Sequence, residues 1–570
     1  MTRTRSTRDL TIFGIVFAII LFWMVDKISF QVRIDHAQGM SFDAISNRLF
    51  TDIISHPFHF SLYRTDLLAA TASLVVLGLI VLYNAGWRRE RTGEEHGSAT
   101  WGTMKDIRPF MDHQSVNNIQ FTQSEGLSLD THRTQRNLNA FIIGGSGTGK
   151  TRAFIMPNLR RALTSYAVTD PKGEIMRDYG MELASRGYQV RCLNLIDFAQ
   201  SNHFNPMKYF NRQDPEVSIL RLTENLINNT SGAAAKESSD SFWVSSERAL
   251  LNALIAFVYF AEEHPSLPMV IDLVGRMGAS EQDENKRFDV DLMFESAKHM
   301  VAAFMKDPDQ FDDEATRIIQ GLEFAIKEYT PFTQGAGETK KSIIISLGNR
   351  LAPMQVGHVR AMLSDDDIDL GRLGKEKTVL FLELSDTDRT FSFLASIFYQ
   401  CLFEENIYIA DHSPEGHVQV PIQCLLDEFA NIGKIPDFEQ RISTFRSRWI
   451  SACIVMQSYS QGKAMYKEHW DTIVGNCDSI LYLGSNDNTT NEWLSKRLGS
   501  GTIDVREDSQ SYGMSGSSTK SWHKVKRELM TPDELALINS DECVYTLRGV
   551  RPFLSKKIDP ATFVYESKRS

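Results

Sequence analysis

Residues 144–151 read Gly144-Gly145-Ser146-Gly147-Thr148-Gly149-Lys150-Thr151. The apolar run Phe141-Ile-Ile143 precedes them, and a segment able to form a helix follows. Strand, glycine loop and helix in that order make a phosphate-binding loop. The glycines let the backbone curl until its N–H groups point inward at phosphate oxygens. Lys150 is placed to reach the β- and γ-phosphates, and the Thr151 hydroxyl to ligate Mg²⁺. The stretch predicts a nucleoside triphosphate site, with ATP and Mg²⁺ as its occupants.

Such a site needs carboxylates opposite the glycine loop, and Ile422-Gln-Cys-Leu-Leu-Asp427-Glu428 supplies them at the end of an apolar run. Asp427 is suited to hold Mg²⁺ through water, and Glu428 to polarise the attacking water. A further apolar run, Ser451–Met456, ends in Gln457. An amide there fits either sensing of the γ-phosphate or orientation of the water. Arg446 and Arg448 precede that run. A guanidinium delivered by a neighbouring subunit stabilises charge on the γ-phosphate oxygens, whereas an arginine before a strand is commonly just solvated.

Short apolar runs recur at Tyr166–Val168, Gln189–Leu193, Thr378–Leu384, Ile422–Leu426, Ala452–Val455, Ile480–Leu483 and Val544–Leu547. Helix-compatible segments lie between many of them, which predicts an α/β fold with a mostly parallel sheet covered on both faces. The rhythm breaks between Leu193 and Thr378. Ser241-Phe-Trp-Val opens a long apolar helical stretch through Phe260, and acidic helical segments follow. Residues 215–330 are therefore expected to form an inserted all-α domain, with Trp243 packed inside it. The nucleotide-binding core is expected over 88–214 and 331–570. The 277 residues between Lys150 and Asp427 exceed what a compact core needs, which supports an insertion. The Ser/Gly-rich residues 508–521 read as a loop.

Leu10 to Val25 and Leu67 to Tyr83 are almost wholly apolar. Arginines stand before the first run (Arg3, Arg5, Arg8) and after the second (Arg88, Arg89, Arg91), with Trp87 beside them. This predicts a membrane anchor over residues 1–87, with two transmembrane helices at about 10–25 and 67–83. Arginine placement puts the terminus and main body in the cytoplasm and a loop, 26–66, on the far side. The formal net charge is −11, of which −9 falls in residues 261–330, where 16 Asp/Glu face 7 Lys/Arg. The near-neutral remainder neither supports nor excludes a DNA channel. Six widely spaced cysteines without a Cys-x-x-Cys pair argue against a zinc or disulfide framework.

Two amino-terminal spans, the glycine loop, Asp170-Pro-Lys-Gly-Glu174, Phe204-Asn-Pro206, Phe242-Trp243, Leu425-Leu-Asp-Glu-Phe-Ala-Asn-Ile-Gly433 and Glu528-Leu-Met-Thr-Pro-Asp-Glu534 occur together. In this the chain resembles the VirD4/TraG family of type IV secretion coupling proteins, over nearly its whole length. The resemblance implies a RecA-like core in a homo-hexameric ATPase of the bacterial inner membrane. Such a protein receives relaxase-bound single-stranded DNA, or effector proteins, and hands them to a secretion channel for conjugative transfer. It implies that Lys150, Thr151, Asp427 and Glu428 carry the nucleotide chemistry, that Gln457 and Arg446 assist, and that the helical domain forms the cytoplasmic mouth of the ring. Members with a long carboxy-terminal docking extension continue beyond the position of Ser570, so recruitment is expected to use the helical domain or adaptors. The alternatives are a coupling protein for effectors without DNA, a double-strand DNA pump, and an assembly platform that binds ATP without turnover.

Overall fold

The computed structural model describes residues 3–55, 60–86, 93–230, 241–283, 286–510 and 518–560. The chain divides into two compact units, Met1–Glu95 and His96–Ser570.

The first unit is helical: α1 (Arg3–Ala37), α2 (Phe42–Ser55) and α3 (Arg64–Gly86). Phe13–Ala37 and Arg64–Tyr83 are long and apolar enough to cross a membrane, and each is only 11% buried within the protein. The expected loop over 26–66 is mostly helix instead. Nothing at Asp26-Lys-Ile-Ser-Phe30 breaks a helix, so α1 runs on until Gly39, whose φ of +77° only glycine adopts cheaply. The end of α1 is tied to the start of α3 through Asp66. That carboxylate accepts from Arg33 Nη2 at 3.0 Å, Ser61 Oγ at 2.6 Å and Ser29 Oγ at 3.0 Å. Trp87 and the arginines at 88, 89 and 91 lie outside the described residues. A third helix of sufficient length, Phe242–Ala261, is 61% buried, which makes it a core helix of the second unit.

The second unit opens with α4 (Met104–Ile107), the small hairpin β1 (Asn118–Gln120) and β2 (Gly126–Ser128), and α5 (Thr131–Thr134). The nucleotide-fold elements follow: β3 (Ala140–Ile143), α6 (Met156–Arg160), β4 (Ser165–Asp170), α7 (Glu174–Ser185) and β5 (Gln189–Asn194). Among the described residues seven α-helices intervene, α8 (Pro215–Thr230), α9 (Ser241–Ala261), α10 (Leu267–Arg276), α11 (Asp289–Lys306), α12 (Asp313–Thr333), α13 (Gly337–Leu351) and α14 (Gly357–Ser364). The chain returns through β6 (Thr378–Glu383), α15 (Ser392–Asp411), β7 (Ile422–Leu426), α16 (Phe438–Thr444), β8 (Ile450–Met456) and β9 (Ser479–Tyr482). It ends with the ribbon β10 (Ser500–Gln510) and β11 (Ser518–Glu528), then β12 (Glu542–Leu547) and β13 (Phe553–Lys556).

Nine strands form one sheet in the order β13-β12-β9-β3-β8-β7-β4-β6-β5. All its pairs are parallel except those of β12 with β9 and with β13. Each of the seven apolar runs read from the sequence is a strand of this sheet. Successive side chains alternate between two buried clusters, as the two-residue period of a strand requires. Phe141 and Ile143 of β3 enter one, while Ala140 and Ile142 enter the other. The first cluster continues without interruption into the helical layer, through Leu250, Leu254, Phe257, Leu322 and Leu347. The helices thus share a core with the sheet, and they continue to Ser364, beyond the expected boundary at residue 330. Trp243, expected inside that layer, is 36% exposed and stands edge-on to Phe242 at its surface. The Ser/Gly-rich stretch is not simply a loop. Residues 500–510 pair with 518–528 in register, and only 511–517 lie outside the described residues. All six cysteines are free and buried.

Candidate nucleotide-binding site

Strand β3 lies inside the sheet between β9 and β8, and residues 144–151 leave its carboxyl end. Gly147 and Gly149 have φ of +77° and +86°, which is the curl the loop needs. At Gly144 an added Cβ would overlap Thr148 Oγ1, so a side chain there would displace that hydroxyl. The loop is anchored on both sides: Gly144 N–H donates to Met456 O at 3.1 Å and Gly145 N–H to Gly484 O at 2.9 Å. Thr151–Ile155 makes a π-helical turn before α6, a wide turn of the kind found at functional sites.

β7 lies one strand beyond β8, and its carboxyl end brings Asp427 and Glu428 to the loop. Thr151 Oγ1 donates to Asp427 Oδ2 at 2.6 Å. Asp427 is 2% exposed, and burial, aided by the neighbouring Glu428 charge, pushes its carboxyl up to about 6 against the pull of Thr151 and Lys150. Glu428 has φ of +47°, an uncommon conformation for a residue with a side chain, and one that recurs at active sites. Lys150 Nζ stands 3.4 Å from Glu428 Oε1 and 3.3 Å from Gly145 O. Gln457, directly after β8, donates through Nε2 to both Glu428 oxygens, at 3.3 and 3.2 Å. This contact with the carboxylate is neither of the two roles expected of the amide, sensing of the γ-phosphate or orientation of the water.

Six of the expected residues, Lys150, Thr151, Thr148, Asp427, Glu428 and Gln457, are thus together, with Gly144, Gly145, Ser146, Gly147 and Gly149 forming the loop backbone. Arg446 is not among them. It precedes β8 at the amino end of that strand, while the loop and Gln457 lie at the carboxyl end. Its Nη2 donates to Thr131 O at 3.0 Å and to Gln135 Oε1 at 3.2 Å, on the rim of a cavity of about 320 Å³. Arg448 grips Asp411 through two bonds of 2.7 and 3.0 Å.

Lys557 went unnoticed in the sequence. Its Nζ donates to Thr148 O at 3.1 Å and Leu483 O at 2.7 Å, bracing the loop from the last described segment, and burial lowers its basicity. A single lysine after a short terminal strand carries no pattern that could have revealed it. Asp170 ends β4, where burial raises its carboxyl although Met176 N–H donates to it at 2.9 Å. Gly173 follows with φ of +67°, packed against the Glu383 carboxylate. The Asp170-Pro-Lys-Gly-Glu174 box thereby makes the turn from β4 into α7.

The Thr151 hydroxyl and Asp427 carboxylate present two oxygens to one point beside the loop, a donor set that suits Mg²⁺. Residues 106–559 match the family model described as Type IV secretory system Conjugative DNA transfer. The chain is 23% identical over 425 residues to the conjugal transfer protein TraG of Rhizobium radiobacter, covering 73% of this chain and 60% of that one. It is 21% identical over 505 residues to protein VirD4 of Rhizobium rhizogenes, covering 86% and 69%. The chain therefore spans about 60% of the length of that TraG. Its fold is similar to that of the plasmid coupling protein TrwB in complex with ADP and Mg²⁺, with a TM-score of 0.58 at 15% identity over 82% of this chain and 95% of that one. The TrwB complex with a non-hydrolysable ATP analogue gives 0.54 at 14%, over 82% and 95%.

Proposed function

Because this chain belongs to the type IV secretory system conjugative DNA transfer family, we propose that it is a membrane-anchored, Mg²⁺-dependent ATPase working as a homo-hexamer. Its role is to couple single-stranded DNA carrying a relaxase, or a protein substrate, to a type IV secretion channel. α1 and α3 cross the bacterial inner membrane, and the second unit lies in the cytoplasm. The helices inserted after β5 form the substrate-facing domain, whose acidic stretch suits a basic protein cargo.

One observation carries the enzymatic reading: Glu428, held by Gln457 and facing Lys150 across the glycine loop. A platform that only binds nucleotide needs no such carboxylate. In the reaction, loop N–H groups cradle the phosphates and Lys150 turns from Glu428 to the γ-phosphate. Glu428 is thereby freed to accept a proton from the attacking water, with Gln457 fixing its orientation. Mg²⁺, held by Thr151 and through water by Asp427, would draw charge from the β- and γ-phosphate oxygens. Arg446 would complete the site from the adjacent subunit. Similar proteins support the reading: the Rhizobium radiobacter relative is a conjugal transfer protein, and the TrwB structure is a complex with ADP and Mg²⁺.

The test is ATP turnover by the full chain and two variants. Lys150→Ala should lose binding and turnover together. Glu428→Gln should bind ATP and fail to hydrolyse it, since the substitution removes the base and spares the metal ligands. Normal hydrolysis by Glu428→Gln would end this reading.

A further inference from the structure

The run that carries Asp427 and Glu428 continues through Phe429-Ala-Asn431-Ile-Gly433. The helical layer grips the chain at the end of that run. Asn229 lies one residue before the end of α8, and its amide pairs with the backbone of Lys434. Lys434 N–H donates to Asn229 Oδ1 at 2.7 Å, and Asn229 Nδ2 donates to Lys434 O at 2.9 Å. Ser396 Oγ adds a second donor to the same carbonyl at 2.8 Å. The approach is built into the backbone. Gly433 has φ of +86°, and a Cβ there would stand 2.7 Å from Asn229 Oδ1.

Between this clamp and Glu428, Asn431 N–H donates to Glu428 O at 2.7 Å and Phe429 is fully buried; just past the clamp, Ile435 N–H donates to Tyr466 Oη at 3.0 Å. On the other side, the last turn of α8 is fastened to the helical layer. Arg350 Nη1 donates to Ile227 O at 3.1 Å and Thr230 Oγ1 at 2.9 Å, while its Nη2 donates to Glu247 Oε2 at 2.7 Å. α9 and α13 are thereby connected, through α8, to the backbone that carries the catalytic carboxylate.

We infer that Asn229 is a positioning residue for hydrolysis: by clamping the Lys434 backbone it holds Glu428 against Gln457 and Lys150, and it ties turnover to the placement of the helical layer. The inference deepens the ATPase reading and rests on it. Because Asn229 touches neither phosphate nor metal ligands, its loss acts on turnover and leaves nucleotide affinity alone.

The test compares wild type, Asn229→Ala, Asn229→Asp and Glu428→Gln as full chains in detergent. Titrated nucleotide sites and ATP turnover are measured on each. Asn229→Ala should lower kcat per titrated site by about threefold to thirtyfold, the range seen when a link in a coupling network is cut, with Kd for ATP within about twofold of wild type. A merely structural role would reduce the number of sites and leave kcat per site unchanged, and that result overturns the inference. Asn229→Asp keeps the acceptor for Lys434 N–H and loses the donor, so it should fall between the two. If Asn229→Ala yields no folded protein, Asn229→Asp decides by the same two numbers. Adding Asn229→Ala to Glu428→Gln should cost nothing further in residual turnover, because the group being positioned is gone. Wild type that binds ATP and never hydrolyses it would remove the ATPase reading first, and this role with it.

Discussion

Asp427→Asn should make the nucleotide-free protein more stable while abolishing its work. Asp427 is 2% exposed, and although Thr151 Oγ1 and Glu428 N–H both donate to it, at 2.6 and 3.0 Å, burial dominates. Its carboxyl stands at about 6 in the folded chain against an ordinary 3.8. That difference corresponds to at most on the order of 3 kcal/mol, by which the charged form destabilises the fold. Above pH 6 the full penalty applies. As pH falls from 6 towards 4 the folded protein takes up the proton that the unfolded chain does not yet bind, and the penalty disappears. Asparagine carries none at any pH. Thermal unfolding of the two proteins side by side should therefore show Asp427→Asn the more stable at pH 7.5, with the gap reduced to about a third by pH 4.5. Saturating Mg²⁺ and ATP should reverse the order at pH 7.5, since only wild type gains from ligation. A ligand 1,000-fold above its Kd contributes about 4.1 kcal/mol, more than the penalty it has to offset. A gap that is absent at pH 7.5, or that does not change with pH, would refute the argument from burial.

Gln457→Ala should leave ATP binding intact and slow hydrolysis, because its Nε2 contacts Glu428 alone among the catalytic groups described; a lost affinity with normal kcat would mean it reads the phosphate instead. Reporter domains fused after residue 45 should report the far side of the membrane and those after residue 100 the cytoplasm, and a cytoplasmic signal from the first would exclude paired spans in α1 and α3. Arg446→Ala should bind ATP and hydrolyse it very slowly, a trans arginine being worth on the order of 10³–10⁵ in turnover. Mixed with Lys150→Ala it should partly recover, and demonstrably mixed rings without recovery would place Arg446 outside the chemistry.

The sheet and the loop were legible because each follows from a strong local rule. A buried parallel strand is apolar on both faces, so runs such as Phe141–Ile143 and Ile422–Leu426 advertise themselves, and glycine is forced wherever the backbone must curl around phosphate. Lys150, Thr151, Asp427 and Glu428 could be paired across 277 residues because the loop requires carboxylates at the end of a nearby strand. The illegible parts depend on contacts distant in sequence. Asp26-Lys27 looked like the polar end of a span, yet the helix has no reason to stop there and both residues are buried. Acidic residues thin out near residue 330, yet the core of the helical layer includes Leu347 and Leu351 further on. The ribbon's pairing runs into the Ser/Gly-rich stretch at 508–510 and 518–521, where no apolar residue marks a strand. Asn229 and Lys557 act on backbone carbonyls or amides, which no side-chain motif records.

The placement of Arg446 bears on assembly through the sheet itself. Parallel strands put all their carboxyl ends on one edge, and β3, β7 and β8 there deliver the glycine loop, Asp427 with Glu428, and Gln457. Arg446 precedes β8 at the opposite edge. Seven residues of strand at about 3.3 Å each separate the two by roughly 20 Å, three times the reach of an arginine side chain. No rotamer of Arg446 reaches the phosphates bound by its own chain, and its present partners, Thr131 O and Gln135 Oε1, fasten it facing away from them. Any action on ATP must be on a neighbour's. A head-to-tail ring of identical copies would meet that condition if the patch bearing Arg446 on one copy met the glycine loop of the next. On the proposed reading, a subunit in isolation would hold a base, a lysine and metal ligands and would lack the counter-charge at the γ-phosphate. Turnover should accordingly rise with protein concentration more steeply than linearly, until the ring is populated.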